Sequence, residues 1–408
     1  MGTDPTALLT PQGHELLARL AAAGDSQPEL AIAERLRREY PSDLVAVAMA
    51  QRELRRAAEA KFSRAAGMLF TRAGYEQSSS ETIARYRASR LKNVSRIADL
   101  CCGIGGDLIA LAEASEVLAV DRDETHARLA LHNAAVYGRA DRARALVCDV
   151  RDVRLAGTDA VFIDPARRSG PGTASAPDAR RYKAGLSEPP LDWCIGLTER
   201  VPAVCVKAAP GLPHDLIPDD WEAEFIAEGR DLKEAVLWSP SMATAPKAGE
   251  RGSRRATVLA TVPPGDAPRS YALVAREGDS VAIREPGEYL LDPNPAVTRA
   301  GLVEDLARTL GEDTAKIDPQ IAFLTLDRNV QTPFARTLRV QHSAPWNEKQ
   351  FAKRLRELEI GAVDIRRRGL AGDVDQIRRR LKLSGARRAT VVITRVNNKP
   401  WGLVCTDE

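Results

Sequence analysis

Apolar positions in the first quarter of the chain recur at helical spacing. The segment LLTPQGHELLARLAAAG (8–24) predicts a helix with Thr10 as its N-cap, Pro11 at its first position and Gly24 at its stop. A second amphipathic pattern, YPSDLVAVAMAQRELRRAAEAKF (40–62), predicts a helix capped by Ser42 or Asp43. No chemistry is indicated there, so residues 1–92 are expected to form a helical domain that packs or binds a partner.

From about residue 95 the pattern changes to short apolar runs that alternate with helical segments. Such alternation is typical of an α/β domain with a parallel sheet and crossover helices, here expected over residues 93–265. A linker rich in Pro and Gly, PPGDAPRS (263–270), marks its end. The apolar runs are RIADLCC (96–102), EVLAVD (116–121), RALVCD (144–149), AVFIDP (160–165) and PAVCVK (202–207).

The last third of the chain predicts two smaller α+β regions, 266–336 and 337–408. In the first region, Asp292 lies among turn residues and is expected to act as a cap rather than as a catalytic acid. In the second region the order is strand, helix, strand, helix and a final hairpin that turns near Asn397 and Asn398.

Charge separates the last region from the rest of the chain. Thr337–Glu408 holds 16 Lys and Arg against 8 Asp and Glu, a balance of +8. The whole 408-residue chain carries +3, so residues 1–336 carry −5. A basic region on a slightly acidic body favours a polyanionic partner such as nucleic acid, and a solvated basic surface is the alternative.

Composition indicates a globular protein of the cytoplasm. Hydrophobic residues make up 44% of the chain and charged residues 28%, and no apolar run approaches the ~20 residues that a membrane span needs. The first residues lack the basic-then-apolar order of a signal peptide. The six cysteines form no C-x-x-C pair, which favours reduced, mostly buried thiols and no metal site.

The segment DLCCGIGGDLIALA (99–112) predicts a strand, a glycine-rich turn and the start of a helix. Gly103, Gly105 and Gly106 allow a tight turn close to a ligand, which would face the free N–H groups of the helix start. The spacing is G-x-G-G-D with no following lysine of a P-loop, and it differs from the G-x-G-x-x-G of nucleotide-dependent oxidoreductases.

Acidic residues lie at or near the carboxyl ends of four successive predicted strands. They are Asp99, Asp121, Asp149 and Asp164. Ligands of α/β folds bind at this edge, where Asp121 can accept hydrogen bonds from ribose hydroxyls and Asp149, beside the Val150 N–H, from an adenine amino group. Each aspartate alone can be a helix cap, but four in register favour an adenosyl cofactor with a sulfonium and an ammonium over a pyrophosphate.

These motifs resemble the class I S-adenosylmethionine-dependent methyltransferases. The stretch from DLCCGIGGDLIALA through VLAVDRDETHARLALHNAAVYG to VFIDPARR is most similar to trimethylguanosine-synthase-type RNA methyltransferases, specifically over about 95–210. The whole chain resembles a bacterial group with a helical N-terminal region, this Rossmann-like core and a C-terminal THUMP-like domain. THUMP domains in general bind structured RNA, often tRNA.

The resemblance implies roles for individual residues. The cofactor would be S-adenosylmethionine, with Asp121 at the ribose and Asp149 and Val150 at the adenine. The segment EQSSSETIARYRASRL (76–91) matches a cofactor-contacting segment, in which Gln77 and the run around Ser79 can bind the methionine carboxylate; a plain serine N-cap is the alternative. The residues that would line the methionine moiety are Asp99, Cys101, Gly103 and Gly105.

The fourth strand ends in a motif that departs from the family pattern. Related enzymes that methylate amino groups of bases use Asn/Asp-Pro-Pro and an aromatic residue, and here Asp164 and Pro165 match whereas Ala166 and Arg167 do not. Uracil-C5 methyltransferases need a nucleophilic cysteine on the next strand, but Cys205 lies in an apolar run and is expected to be a core thiol. Arg167 can stack on a base or hold a phosphate.

Basic residues beyond this motif are candidates for RNA contacts. The segment 169–193 is rich in Gly, Ser, Ala and Pro, and it is either a surface loop or a loop whose Tyr182 replaces the missing aromatic. Lys207, at the end of the fifth strand, either faces substrate or is a satisfied strand-end lysine. The remaining candidates are Arg168, Arg180 and Arg181 near the motif, and Arg366, Arg368 and Arg379 in the basic C-terminal region.

The sequence therefore predicts an S-adenosylmethionine-dependent methyltransferase that acts on a base nitrogen of structured RNA, tRNA or rRNA. Asp164 would position the acceptor or help to deprotonate it, and Arg167, Arg168 and Tyr182 would hold it. The alternatives are a non-catalytic cofactor-binding RNA adaptor and, disfavoured by the glycine spacing, a Rossmann oxidoreductase. The sequence gives neither the RNA nor the oligomeric state.

Overall fold

The chain folds into two compact units. The computed structural model describes residues 4–24, 27–167, 187–249, 252–370, 372–381 and 383–407. The first unit comprises Met1–Pro218, Ala235–Ala243 and Leu259–Ser270, and the second comprises Asp219–Glu234, Thr244–Val258 and Tyr271–Glu408. The four-domain division expected from the sequence remains a prediction.

Helices precede the first strand, as the periodicity predicts. Thr10 caps α1, since its Oγ1 accepts a hydrogen bond from the Gly13 N–H at 3.1 Å. The predicted cap of α3 is wrong: Ser42 is the first helical residue, extended Pro41 precedes it, and no side chain caps this end. These helices are α1 (Pro11–Ala22), α2 (Glu29–Leu36), α3 (Ser42–Ala58), α4 (Arg72–Gln77) and α5 (Glu81–Arg90), with 3₁₀ turns at Pro5–Leu9 and Ala65–Gly67.

A parallel sheet follows, in the order β3-β2-β1-β4-β7. The chain order reverses between β1 and β4, which is the position where open α/β sheets bind ligands beyond the carboxyl ends of the strands. The strands are β1 (Arg96–Leu100), β2 (Glu116–Asp121), β3 (Ala143–Val147), β4 (Ala160–Ile163) and β7 (Ala203–Ala208), and the helices are α6 (Gly106–Leu111) and α7 (Glu124–Val136).

A short antiparallel ribbon lies between β4 and β7. Its strands are β5 (Ala166–Arg167) and β6 (Ser187–Glu188), and Arg167 pairs with Ser187. Helix α8 (Leu191–Gly196) and 3₁₀ turns at Leu197–Glu199 and His214–Leu216 complete this part. Of the expected loop 169–193, Ser187–Glu188 form strand β6 and residues from Leu191 onward begin helix α8, whereas residues 169–186 lie outside the described residues.

The N-terminal helices and the sheet domain share one apolar core. Leu16, Val45 and Phe70 pack in the same cluster as Ile104 of the glycine-rich turn and Leu129 of α7. Fully buried Asn133 ties the two parts together, because its Nδ2 donates to the Leu69 carbonyl at 3.0 Å and to the Ile104 carbonyl at 2.9 Å. The N-terminal helical region therefore packs against the glycine-rich turn and stabilises its position.

The second unit contains a seven-stranded sheet in the order β13-β14-β12-β15-β18-β17-β16. Asn397 and Asn398 have φ of 47° and 64° and form the predicted hairpin turn. Its strands are β12 (Tyr289–Pro293), β13 (Ala315–Lys316), β14 (Leu324–Leu326), β15 (Ala335–Pro345), β16 (Ile360–Arg367), β17 (Arg387–Val396) and β18 (Lys399–Thr406).

The remaining strands are β8 (Glu222–Glu228), β9 (Asp231–Trp238), β10 (Ser253–Leu259) and β11 (Ser270–Val274); the remaining helices are α9 (Pro295–Ala300), α10 (Val303–Leu310), α11 (Glu348–Glu357) and α12 (Val374–Arg380). In the first unit, residues 235–238 of β9 pair antiparallel with β7. No described helix is long and apolar enough to cross a membrane.

The prediction that Asp292 acts as a cap is wrong. Asp292 is part of strand β12, and Asn294 caps α9 instead, with its Oδ1 accepting from the Ala296 N–H at 3.0 Å. The Asp292 side chain is buried and faces arginines. The residues around Asp292 in the sequence are typical of turns and do not indicate its burial, because the arginines that it faces come from distant parts of the chain.

Candidate active site

A cavity of about 380 Å³ lies at the carboxyl ends of the parallel strands. Its volume falls in the range of small-molecule sites. The predicted residues that line it are Gln77, Asp99, Cys101, Gly103, Asp121, Asp149, Val150, Asp164, Pro165 and Lys207. Residues from β1, β2 and the ends of β3, β4 and β7 are thus brought to one site.

The glycine-rich turn forms one wall of this cavity. Gly105 caps α6 with φ of 83°, and a Cβ at this position would lie 2.8 Å from the Cα of Ala130. Gly103 has φ of 52° with no described atom within 4 Å of an added Cβ, so its open side admits a ligand. Gly105 itself does not line the cavity, and its role is to let the turn lie against α7.

Asp99 is a buried carboxylate within β1. Its side chain is 1% exposed, and neither oxygen has a hydrogen-bond partner among the described residues. Burial, followed by the nearby acids Asp107, Asp164 and Asp121, raises the pKa of Asp99 well above the ordinary range, against the opposing effect of Arg87. The site therefore holds an unsatisfied acceptor where a cationic or hydrogen-bond-donating ligand would fit.

Asp121 ends β2 and is held by backbone N–H groups. Its Oδ2 accepts from Gly103 at 2.9 Å and its Oδ1 from Asp123 at 3.0 Å. Burial raises the pKa of this carboxyl, but hydrogen bonds from His126 and from both backbone groups outweigh it, so the pKa is lowered. The carboxylate stays charged and oriented, as an acceptor for ribose hydroxyls needs to be.

Asp149 forms an ion pair with a neighbouring arginine. Its Oδ2 lies 3.1 Å from Nη1 of Arg151, and Nη2 of Arg151 contacts Glu188 on the β5–β6 ribbon. The Arg151 guanidinium also lies 6.0 Å from the centre of the Trp193 ring. Arg151 thus connects the predicted adenine end of the cavity to the ribbon that follows the fourth-strand motif.

Asp164 and Lys207 face each other across β4 and β7. The Lys207 Nζ donates to Oδ2 of Asp164 at 2.5 Å. The Lys207 side chain is 9% exposed, whereas that of Asp164 is 33% exposed toward the cavity. Lys207 is therefore a satisfied strand-end lysine that also lines the cavity, because it holds the carboxylate of the fourth-strand motif.

The segment before β1 contributes to the site in part. Gln77 and Ser78 line the cavity, whereas Ser79 is buried and is absent from its lining. The Arg87 guanidinium on α5 is 1% exposed, contacts Asp107 and lies 5.4 Å from the centre of the Phe162 ring. This buried cation partly compensates the acids beneath the cavity.

Several predicted residues lie elsewhere. Arg168, Arg180, Arg181 and Tyr182 are outside the described residues, and only the backbone of Arg167 is described. Cys205 is fully buried, as expected of a core thiol. Among the described residues, no group of His, Cys, Asp and Glu has an arrangement that would hold a metal ion.

The three predicted C-terminal arginines differ in their surroundings. Arg379 on α12 is exposed. Arg366 and Arg368 both turn toward Asp292 within the second unit, and Arg368 also donates to the Ala322 carbonyl at 3.0 Å. Both residues therefore face a carboxylate within the second unit, and their predicted RNA contacts remain a prediction.

Sequence reasoning missed several residues of the cavity, among them His126, Arg151 and Glu188. His126 lies 3.8 Å from Asp121 through Nδ1, and hydrogen bonding to Asp121, against burial, raises the pKa of this histidine. Arg151 and Glu188 close the adenine end. His126 and Arg151 lie close in sequence to the strands that end in acids, and this proximity could have indicated them. Glu188 follows the segment rich in Gly, Ser, Ala and Pro, and no sequence signal indicates it.

The residues present fit S-adenosylmethionine. This cofactor carries a sulfonium and an ammonium, and the cavity wall carries Asp99, Asp121 and Asp164. The strongest evidence is that neither carboxyl oxygen of Asp99 has a hydrogen-bond partner among the described residues. A buried acceptor without a partner gains most in free energy when a donor binds to it. Gln77 and Ser78 add polar groups near that end of the cavity.

Replacing Asp99 by asparagine is expected to change the pH dependence of stability and to weaken cofactor binding. A carboxyl whose pKa is raised on folding binds its proton more tightly in the folded state. Stability therefore falls as pH rises from the ordinary carboxyl value toward the raised one, by at most about 1.4 kcal/mol per pH unit. The asparagine amide cannot ionise, so Asp99→Asn should lose this fall and gain stability relative to wild type with rising pH.

Urea unfolding at several pH values between 5 and 8, together with calorimetric titration of S-adenosylmethionine, measures both effects. Asp141→Asn, at an exposed carboxylate, is the control and should leave both unchanged. Parallel pH profiles for wild type and Asp99→Asn would contradict the assignment of Asp99 as a buried, unsatisfied acid.

Known families match three parts of the chain. Residues 335–407 match the "THUMP domain-like" family, residues 94–174 match "RNA cap guanine-N2 methyltransferase", and residues 3–58 match a domain of unknown function. The two named matches coincide with the basic C-terminal region and with the strands that form the cavity.

Whole-chain similarity extends to curated and solved proteins. Two Mycobacterium tuberculosis proteins, from strains CDC 1551 and H37Rv, are each described as "Uncharacterized S-adenosylmethionine-dependent methyltransferase". Each is 35% identical over 341 residues, which cover 80% of this chain and 85% of the relative. A crystal structure described as "putative methyltransferase from Porphyromonas gingivalis W83" superposes with a TM-score of 0.70 at 21% identity, covering 96% of this chain and 98% of that one.

That structural likeness confirms the predicted Rossmann-like fold class. The sequence relationship, together with the cavity at the switch point, confirms the predicted cofactor and reaction class. The chain belongs to the S-adenosylmethionine-dependent methyltransferases and combines a Rossmann-like catalytic core with a THUMP-like C-terminal domain.

Proposed function

We propose that the protein transfers a methyl group to a base nitrogen of a structured RNA, tRNA or rRNA. The observation that carries this proposal is the Asp164–Lys207 pair, which presents a carboxylate to the same cavity as Asp99 and Asp121. A carboxylate at this position can accept a hydrogen bond from an amine and direct its lone pair toward the methyl group.

The cofactor, when bound, supplies a methyl group already activated by the sulfonium. Asp99, Asp121 and the glycine-rich turn would hold this cofactor. Asp164 would hold the acceptor amine with its lone pair toward the methyl group, which the nitrogen would receive as the sulfur leaves with the bonding electron pair. The nitrogen then loses a proton, which Asp164 accepts and passes to solvent through its exposed side. Lys207 holds the Asp164 carboxylate in place.

The choice of RNA as substrate class rests on two further observations. The family descriptions matched by residues 94–174 and 335–407 are those of an RNA methyltransferase and of a THUMP-like domain. The C-terminal region also carries the charge excess of the chain, and exposed Arg378, Arg379 and Arg380 lie on α12. Arginines of this kind contact phosphates without reading sequence.

A labelling experiment tests the proposal. Purified protein is incubated with methyl-labelled S-adenosylmethionine and total RNA from cells that lack the gene, and the RNA is digested to nucleosides for mass spectrometry. We expect label in one nucleoside, with the base fragment rather than the ribose fragment heavier by one methyl group. RNA from cells that express the gene is the control and should accept little label.

Other outcomes separate the alternatives. Label in the ribose fragment or at a base carbon would contradict the nitrogen acceptor. Label in a protein or small molecule, with none in RNA, would contradict the substrate class. RNA and cofactor binding without transfer to any RNA would favour an RNA adaptor over the proposed activity.

A further inference from the structure

Three arginines contact one buried aspartate in the second unit, and a fourth lies opposite it on the neighbouring strand. Asp292 on β12 is 2% exposed. Its Oδ1 lies 2.8 Å from Nη2 of Arg368, its Oδ2 lies 3.0 Å from Nη2 of Arg230, and Nη1 of Arg366 is 3.9 Å from Oδ2. Arg336 is the cross-strand partner of Asp292 on β15. The arginines come from the β8–β9 turn, β15, β16 and the residue after β16.

The guanidinium groups are close enough to repel one another. Burial, opposed by Asp292, and then the charges of Arg366, Arg336 and Arg368 lower the pKa of Arg230. Two other carboxylates take part: Asp407 binds Arg336, with its Oδ1 2.8 Å from Nε, and Oδ2 of Asp364 lies 2.9 Å from Nε of Arg366. Four cations therefore face three anions, and the cluster keeps an excess positive charge.

A structural ion pair alone does not account for this arrangement. One buried carboxylate is satisfied by one or two guanidinium groups, and each additional cation adds repulsion and a desolvation cost. Yet the side chains of Arg230, Arg366 and Arg368 remain 37%, 43% and 30% exposed, so part of each guanidinium faces solvent. A solvent-facing group of fixed cations with excess charge has the properties of an anion site.

Contacts behind the cluster fix its geometry. Arg368 donates to the Ala322 carbonyl at 3.0 Å, and its guanidinium stacks 4.5 Å from the centre of the Phe323 ring. Arg230 also approaches the Asp292 carbonyl oxygen at 3.4 Å. Side chains that are held before binding lose less conformational entropy when a ligand arrives, and planar guanidinium groups match the oxygens of a phosphate.

We propose that the cluster of Arg230, Arg336, Arg366 and Arg368 around Asp292, the Asp292 cluster, is a binding site for a phosphate group. A backbone phosphate of the RNA substrate is the expected source, and in this respect the inference rests on the proposed function. Asp292 orients the arginines, and the phosphate offsets their excess charge. Because Arg230 and Asp292 precede the basic C-terminal region, the RNA contact extends beyond residues 337–408.

The test compares RNA binding of the full chain at several salt concentrations. The variant Arg230→Gln/Arg366→Gln removes two cations that are not stacked on the core. Loss of one phosphate contact should reduce the slope of log affinity against log salt by about one and weaken binding about tenfold. Arg328→Gln is the matched control, since Arg328 is 47% exposed and likewise pairs with an acid, Asp313. Thermal unfolding checks that all variants fold.

The outcomes distinguish this inference from the proposed function. If the wild type binds tRNA and the double variant has the same affinity and the same salt slope, the proposal that the Asp292 cluster binds phosphate is overturned. The proposed function is not affected by this result. Absence of binding to both tRNA and rRNA by wild type would instead contradict the proposed substrate class and with it the RNA source. Titration with inorganic phosphate tests the other source. If the wild type binds phosphate but not RNA, and the double variant loses phosphate binding, the cluster is a small-anion site and the proposed RNA contact is overturned.

Discussion

Replacing Asp164 by alanine is expected to lower the rate of methyl transfer by about 10²–10⁴-fold while S-adenosylmethionine still binds. The variant removes both the acceptor of the amine hydrogen bond and the acceptor of the departing proton. It retains Asp99 and Asp121 at the cofactor end of the cavity. Single-turnover rates with the RNA fraction that accepts label, together with calorimetric titration of the cofactor, measure the two effects separately.

The same strand provides the control for this prediction. Asp159 lies at the opposite end of β4, where its Oδ2 accepts from the Arg96 N–H at 3.0 Å, far from the cavity lining. Asp159→Ala should transfer methyl groups at the wild-type rate. If Asp164→Ala retained activity within about tenfold of wild type, acid–base and positioning roles for this carboxylate would be excluded.

Replacing Gly105 by alanine is expected to abolish measurable cofactor binding and to destabilise the fold. The left-handed backbone costs an L-residue about 1–2 kcal/mol. The new Cβ would also lie 2.8 Å from the Ala130 Cα, and such overpacking adds about 1–3 kcal/mol. Because Ala130 is fully buried in α7 and the contact is with its backbone, the glycine-rich turn has to move, and the cavity wall moves with it.

Gly138→Ala separates the two contributions. Gly138 has φ of 71° but no described atom within 4 Å of an added Cβ, so this variant should show only the backbone cost. Urea unfolding and cofactor titration compare the two variants. Equal stability of Gly105→Ala and Gly138→Ala, or unimpaired cofactor binding by Gly105→Ala, would contradict the proposed contact between the turn and α7.

The cofactor end of the site was predictable because it depends on local backbone features. A glycine turn after a strand and an acid at a strand end are short-range patterns, and parallel strands bring their carboxyl ends to one edge whatever their side chains are. Asp99, Asp121, Asp149 and Asp164 therefore meet at the cavity as expected. The cap at Thr10 and the hairpin at Asn397 followed from equally local rules.

The remaining contacts depend on pairs that are distant in sequence. Lys207 and Asp164 are 43 positions apart, and Arg230 and Asp292 are 62 apart. Composition and periodicity do not determine which of many arginines meets which acid, since that choice is made by strand order and register. For this reason the sequence pattern predicts a cap at Asp292, and it gives no signal for Glu188.

The β5–β6 ribbon has a consequence for how members of this family can diverge. Arg167 and Ser187 are register partners in this ribbon, and residues 168–186 connect them along the chain. Because the ends are already joined, doubling the length of the intervening segment costs only about 0.6 kcal/mol in chain entropy. Changes in chain length between Arg167 and Ser187 can therefore accumulate without disturbing the cofactor-binding strands.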